Sequence, residues 1–183
     1  MISRTSKVSS LKVALLFVFV VLASDHMAGA AVSEDNKLPL AQLQSLGTSA
    51  GHSAEFRGKP LLLQFWASWC HSCSSIMFDL DELLVQYPNT DYLAVSLDDE
   101  RSDALQYIEK HALYKKYNNQ YFIDSDKLLS TTLKVETVPT VILFDAGGNE
   151  VVRRSGHLNG TDLLHLSTGM KSIAENHSGE NKK

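Results

Sequence analysis

Apolar and polar positions along the chain change period several times, and each change marks an element. Leu61 to Ala67 (LLLQFWA) is a short apolar run behind Gly58-Lys59-Pro60, rich in strand formers, and predicts a buried strand. From Cys70 the period lengthens. Ile76, Leu80, Leu83, Leu84 and Tyr87 fall at helical spacing among Asp79, Asp81 and Glu82, until Pro88-Asn89 stops the helix. Asp91 to Leu97 predicts a second strand, and Ser102 to Ala112 a second helix with Ser102 as its N-cap. Tyr121-Phe122-Ile123 is a short extended piece, and Asp126 to Leu133 a short helix. Pro139 to Phe144 (PTVILF) predicts a third strand; Gly147-Gly148-Asn149 turns the chain and Glu150 to Arg154 returns as a hairpin partner. Asn159 to Ile173 closes the series as a helix with Leu163, Leu164, Leu166 and Met170 as its apolar residues. The first half is βαβ-like, which favours parallel strands with helices on both faces, and the hairpin adds antiparallel pairing. The expectation is an α/β fold with a mixed central sheet in a single domain.

The ends read differently from this body. Arg4, Lys7 and Lys12 precede an unbroken apolar run of 11 residues, Val13 to Ala23; a polar stretch follows, and Ala28-Gly29-Ala30 has the small-x-small pattern of a signal-peptidase site. A membrane-spanning helix needs about 20 apolar residues. Residues 1–30 are therefore expected to be a cleaved signal peptide, with an uncleaved membrane anchor as the alternative. Residues 31–58 form a weakly patterned lead-in in which Leu38 to Leu46 makes a short helix or turn. The body spans 59–174, and 175–183 is a polar tail expected to fray. Composition changes this picture little: 44% hydrophobic and 21% charged residues suit an ordinary folded domain. The net charge is −4, and a chain starting at Ala31 would carry −6. Nothing there neutralises phosphates, so nucleic acid is not an expected partner.

The chemistry sits in Trp69-Cys70-His71-Ser72-Cys73, where a strand ends and a helix begins; these are the only two cysteines. A helix start presents unpaired N–H groups and a partial positive charge, which favour thiolate over thiol. A spacing of three brings both sulfurs onto one turn. Cys70, at the very start, is then the attacking thiol, and Cys73, one turn inward and less exposed, the resolving one. As a structural staple the pair is weak. Closing a four-residue loop is worth about 1.9 kcal/mol, against about 4.7 for a hundred-residue loop. A zinc site needs four ligands, and no second pair of cysteines exists. Copper(I) accepts fewer and softer ligands, so copper handling by Cys70, Cys73 and His71 stays open. His71 either adds positive charge beside Cys70 or is a plain exposed residue. Alternation along the strand puts Trp66 in the core, while Trp69 abuts Cys70 and is expected on a substrate-facing surface.

Phe65-Trp66-Ala67-Ser68-Trp69-Cys70-His71-Ser72-Cys73 closely resembles the active-site strand and turn of the thioredoxin superfamily. Thr137-Val138-Pro139-Thr140 resembles its cis-proline loop, Phe144-Asp145 with Gly147-Gly148 the hairpin after it, and Gly156 a glycine before the last helix. The leader and the extra segment between Tyr114 and Leu133 look like the TlpA/ResA/DsbE branch of exported thioredoxin-like proteins. The resemblance implies a thioredoxin-like fold, a cis bond before Pro139, and a backbone at Val138-Pro139 that takes an incoming peptide as an added strand. It implies reversible thiol–disulfide exchange with protein thiols and disulfides, weakly favouring the reducing direction. A membrane electron-transfer partner is implied as well; the leader predicts a periplasmic or otherwise secreted location, and the chain is expected to be a monomer. No organic cofactor and no metal is expected. The chain also departs from the family. Gln64 stands where a buried carboxylate is common below the second cysteine, Ile76 where a Glu often follows it, and Phe78 where a helix-kinking Pro is usual. The usual proton-relay groups are therefore missing. A further alternative is a binding module that keeps the fold around an inert bridge.

Overall fold

Leu61–Trp66 is buried at all six positions, so both faces of this strand must be covered. That burial organises the rest. The computed structural model describes residues 38–47, 54–55, 57–111 and 120–180. The expected leader, part of the lead-in, the segment 112–119 and the last three residues lie outside them. The described residues belong to one unit, Asn36–Lys183. Their strands are β1 (Gln44–Ser45), β2 (Leu61–Trp66), β3 (Asp91–Ser96), β4 (Tyr121–Ile123), β5 (Thr140–Phe144) and β6 (Glu150–Ser155). The α-helices are α1 (Cys73–Gln86), α2 (Arg101–Lys110), α3 (Leu128–Thr132) and α4 (Gly160–Glu180).

The six strands form one sheet in the order β1-β4-β3-β2-β5-β6. β2 runs parallel to β3, and β3 to β4, whereas β5 is antiparallel to both β2 and β6. This is the expected mixed sheet. Side-chain alternation splits the core in two. Leu62 and Trp66 of β2, with Val141 and Leu143 of β5, pack against Ile76, Met77 and Leu80 of α1, Ala104, Tyr107 and Ile108 of α2, and Leu166, Met170 and Ile173 of α4. Leu61, Leu63, Phe65, Ile142 and Phe144 face the other way, against Leu40 and Leu129. Helices cover both faces, but the three longer ones share one of them.

Several expected boundaries move. Helix α2 begins at Arg101, with Glu100 rather than Ser102 in the N-cap position. Glu100 is extended and its carbonyl accepts the Asp103 N–H at 3.1 Å, so Ser102 is already inside the first turn. Leu38 to Leu46 holds a 3-10 turn at Leu40–Gln42 followed by strand β1, which pairs with β4. Helix α4 passes the expected end at Ile173 and runs to Glu180, with the Lys171–Glu175 pair on its last turns. Its start is set by Asn159, whose Oδ1 accepts the N–H groups of Thr161 and Asp162. Leu164, taken as part of the apolar face, points to solvent instead. Among the described residues, no helix is long and apolar enough to cross a membrane.

A cysteine turn at the head of the first long helix

Strand β2 ends at Trp66, and two tight turns carry the chain into α1. The Cys70 N–H donates to Ala67 O at 3.0 Å, and the Cys73 N–H donates to Cys70 O at 3.3 Å. Those turns shift the helix start. It lies at Cys73, so Cys70 sits in the turn ahead of the helix rather than at its first residue. Cys70 and Cys73 are joined in a disulfide, with Cα atoms 5.5 Å apart. Cys70 keeps 6% exposure and Cys73 none, which is the asymmetry expected of an outer and an inner sulfur. His71 is exposed between them, and Ser72 Oγ lies 3.9 Å from the Cys70 sulfur.

The two tryptophans separate as expected, one into the core and one beside Cys70. Trp66 is fully buried, and Trp69 is 64% exposed beside Cys70. The peptide bond between Val138 and Pro139 is cis. Thr140 pairs with Phe65, so the antiparallel register brings Pro139 level with Trp66, at the end of the sheet where the cysteine turn begins. Val138 packs against the core cluster that contains both cysteines. The Pro139 carbonyl accepts the N–H of Gly156, whose φ of 84° is one that residues with a Cβ rarely adopt. Trp69, Cys70, His71, Cys73, Val138 and Pro139 thus lie at one end of the sheet.

Gln64 lies fully buried on β2, below the inner cysteine. Its Nε2 donates to Cys73 O at 3.4 Å, and its Oε1 accepts the Tyr92 hydroxyl at 2.7 Å. Burial, with the charges of Tyr121 and Asp81 adding to it, pushes the Tyr92 hydroxyl well above its ordinary pKa, so it stays a donor. Asp81, two turns along α1 from Cys73, carries a buried carboxylate. Burial first and the charge of Glu82 second raise its pKa.

Two residues around the turn escaped sequence reasoning. Asp98, just past β3, is buried and accepts the Ser68 N–H at 3.0 Å and the Ser68 and Ser96 hydroxyls at 2.7 Å each. Tyr107 of α2 donates its hydroxyl to Cys70 O at 3.1 Å and accepts the Ser74 N–H at 3.1 Å. Nothing in the local pattern marks Asp98. Tyr107 leaves a trace, since Ala104, Tyr107 and Ile108 share the buried face of α2 and a buried phenol needs a partner. Among the described residues, no group of three or more His, Cys, Asp or Glu is placed to hold a metal ion.

Residues 58–151, about half of the chain, match a family described as thioredoxin-like. The chain is 30% identical over 128 residues to the thiol:disulfide interchange protein DsbE of Yersinia pestis, covering 67% of this chain and 64% of that one. It is 28% identical over 104 residues to the thiol-disulfide oxidoreductase ResA of Bacillus thuringiensis, covering 56% of this chain and 58% of the other. It therefore spans less than two thirds of either curated relative. A solved thiol-disulfide oxidoreductase from Bacteroides fragilis superposes with a TM-score of 0.53 at 29% identity, over 70% of this chain and 96% of that one. The matched span takes in the β2 strand, the cysteine turn, the cis-proline loop and the start of the hairpin, and on that match the chain belongs to the thioredoxin-like family.

Proposed function

We propose that this chain is an exported thiol–disulfide oxidoreductase that exchanges disulfides with protein substrates through Cys70 and Cys73, working as a reductant. One observation carries the reading: the two sulfurs are bonded across a single turn at a helix start, the outer one keeping 6% exposure and the inner one none. In the reducing direction the Cys70 thiolate attacks a substrate disulfide. One substrate sulfur leaves and takes a proton, and a mixed disulfide to Cys70 remains. Cys73, as thiolate, then attacks the Cys70 sulfur and releases the second substrate thiol. Two electrons pass from the dithiol to the substrate, and the two thiol protons finish on the substrate sulfurs. Trp69, Val138 and Pro139 hold the substrate chain, and His71, exposed beside Cys70, adds positive charge when protonated. Family membership and the names of the relatives support the exchange chemistry.

The domain that does this spans 59–174. The basic start, the apolar run Val13 to Ala23 and the Ala28-Gly29-Ala30 site support export to a periplasmic or secreted location, with an electron-donating membrane protein as partner. The test uses two variants on a model protein disulfide. Cys70→Ser abolishes exchange. Cys73→Ser keeps the first attack and accumulates mixed disulfides that a thiol-trapping gel resolves. Full turnover in Cys70→Ser would sink the mechanism. Equilibration with glutathione gives the direction, with a potential of about −270 mV expected for a reductant and one of about −120 mV for an oxidant.

A further inference from the structure

Ser72 occupies the N-cap of α1, but its side chain makes no capping bond. The helix start is capped from another helix instead. The Ser74 N–H, one of the donors that every helix start leaves without an internal partner, is taken by the Tyr107 hydroxyl at 3.1 Å. That hydroxyl donates its own hydrogen bond to the carbonyl of Cys70, also at 3.1 Å. A single phenol oxygen therefore ties the residue after Cys73 to the backbone of Cys70. The phenol is itself held. Its ring is buried, 5.2 Å from the Trp66 ring and 4.4 Å from that of His111.

We propose that Tyr107 is a positioning residue that sets the redox equilibrium of the Cys70–Cys73 pair, holding it toward the disulfide. The inference rests on the exchange reading above. Two physical effects act in the same direction. Reduction frees residues 70–73 to move apart, and a brace between Cys70 O and Ser74 N–H limits that freedom, keeping each sulfur at a high effective concentration for the other. The helix start also stabilises a thiolate through its unpaired N–H groups. The Tyr107 oxygen takes up one of those groups, so less of that stabilisation reaches the Cys70 thiolate. Both effects disfavour the dithiol, which suits a protein that gives its electrons away.

The decisive variant is Tyr107→Phe, which removes the hydroxyl and leaves the ring against Trp66 and His111. In the balanced reaction two glutathione thiols reduce the Cys70–Cys73 disulfide to the dithiol and leave as one glutathione disulfide. Full-length wild type, Tyr107→Phe and Tyr87→Phe are equilibrated in the same glutathione buffers, and the dithiol fraction is trapped and counted. Tyr87 serves as the comparison because its hydroxyl donates to Ser167 O at 3.3 Å, at the far end of α1. Tyr107→Phe shifts the constant about tenfold toward the dithiol, equivalent to about 30 mV for a two-electron couple. The pH midpoint of Cys70 alkylation falls with it, and Tyr87→Phe stays within about twofold of wild type. Tyr107→Leu, which also lacks the hydroxyl, must shift the same way, so whichever variant folds decides. A Tyr107 variant within twofold of wild type, or a Tyr87→Phe shift of equal size, overturns the assignment while wild-type exchange still stands. If wild type itself fails to equilibrate with glutathione, both readings fall together.

Discussion

Asp98 holds the approach to the cysteine turn in place. Its carboxylate receives the Ser68 amide and the hydroxyls of Ser68 and Ser96, and the Asp98 N–H returns a bond to Ser96 Oγ at 3.0 Å. Lys127 grips the same corner from outside, donating to Leu97 O at 2.8 Å and Asp98 O at 3.1 Å. A buried donor stripped of its acceptor costs about 1–3 kcal/mol. Asp98→Asn keeps the shape but places an NH2 group where one oxygen accepted. It is expected to lower stability by about that amount in urea unfolding, with Trp69 fluorescence reporting a looser turn. An unchanged unfolding midpoint would show that the cluster contributes nothing. The residues that belong to a pattern were legible: Cys70 and Cys73 by spacing, Trp66 by alternation, Trp69 by its place beside Cys70, Val138-Pro139 by resemblance. Asp98 and Tyr107 were not, because each acts across the fold on a segment 30 or more residues away. Periodicity says which side of an element is buried, but not which polar group waits there.

At the scale of elements, α4 shows where intrinsic preference and packing pull apart. Gly169 lies inside this helix, where propensity favours alanine by about 1 kcal/mol. A Cβ added there would lie 2.7 Å from Val152 Cγ2 and 3.0 Å from Leu143 Cδ2, on the β5–β6 hairpin. Val152 is β-branched and cannot simply swing aside, and overpacking costs about 1–3 kcal/mol. Gly169→Ala is therefore expected to destabilise despite the better propensity, by about 1 kcal/mol in thermal or urea unfolding. A stabilised variant would mean that the helix rides away from the sheet at no cost. The same tension explains which boundaries the sequence carried. Strands β2, β3 and β5 came out within a residue or so of their apolar runs, because burial on both faces requires an unbroken run. Helix starts moved, since Cys70 and Ser102 were placed by chemistry and capping preference. The actual starts depend on turns closed by backbone bonds at Ala67, Cys70 and Glu100. Two-residue β1 has no run to read; its pairing with β4 becomes visible only in the folded sheet.

For the molecule as a whole, the disulfide and the fold are coupled, and the coupling has a sign. Around a thermodynamic cycle, the stability of the oxidised protein minus that of the dithiol equals the preference of the fold for the disulfide over that of the unfolded chain. A fold that favours the disulfide makes the dithiol the stronger reductant and the oxidised protein the more stable. An oxidant shows the reverse, with its reduced form stabilised. The four-residue loop supplies about 2 kcal/mol in favour of the oxidised form, and the Tyr107 brace acts in the same direction. On the proposed reducing role, reduction should leave the protein folded but lower its urea-unfolding free energy by about 3 kcal/mol, loop and brace together, with Tm falling by several degrees. A dithiol form more stable than the disulfide form would reverse the proposed direction while leaving the exchange chemistry intact. The cycle must also close for the variant: if Tyr107→Phe moves the redox constant tenfold, the gap between the two unfolding curves must shrink by about 1.4 kcal/mol, provided that the unfolded chain is indifferent to the hydroxyl. A potential that shifts while that gap stays fixed would mean that the unfolded chain shifts equally, so the hydroxyl would not be acting through the folded brace.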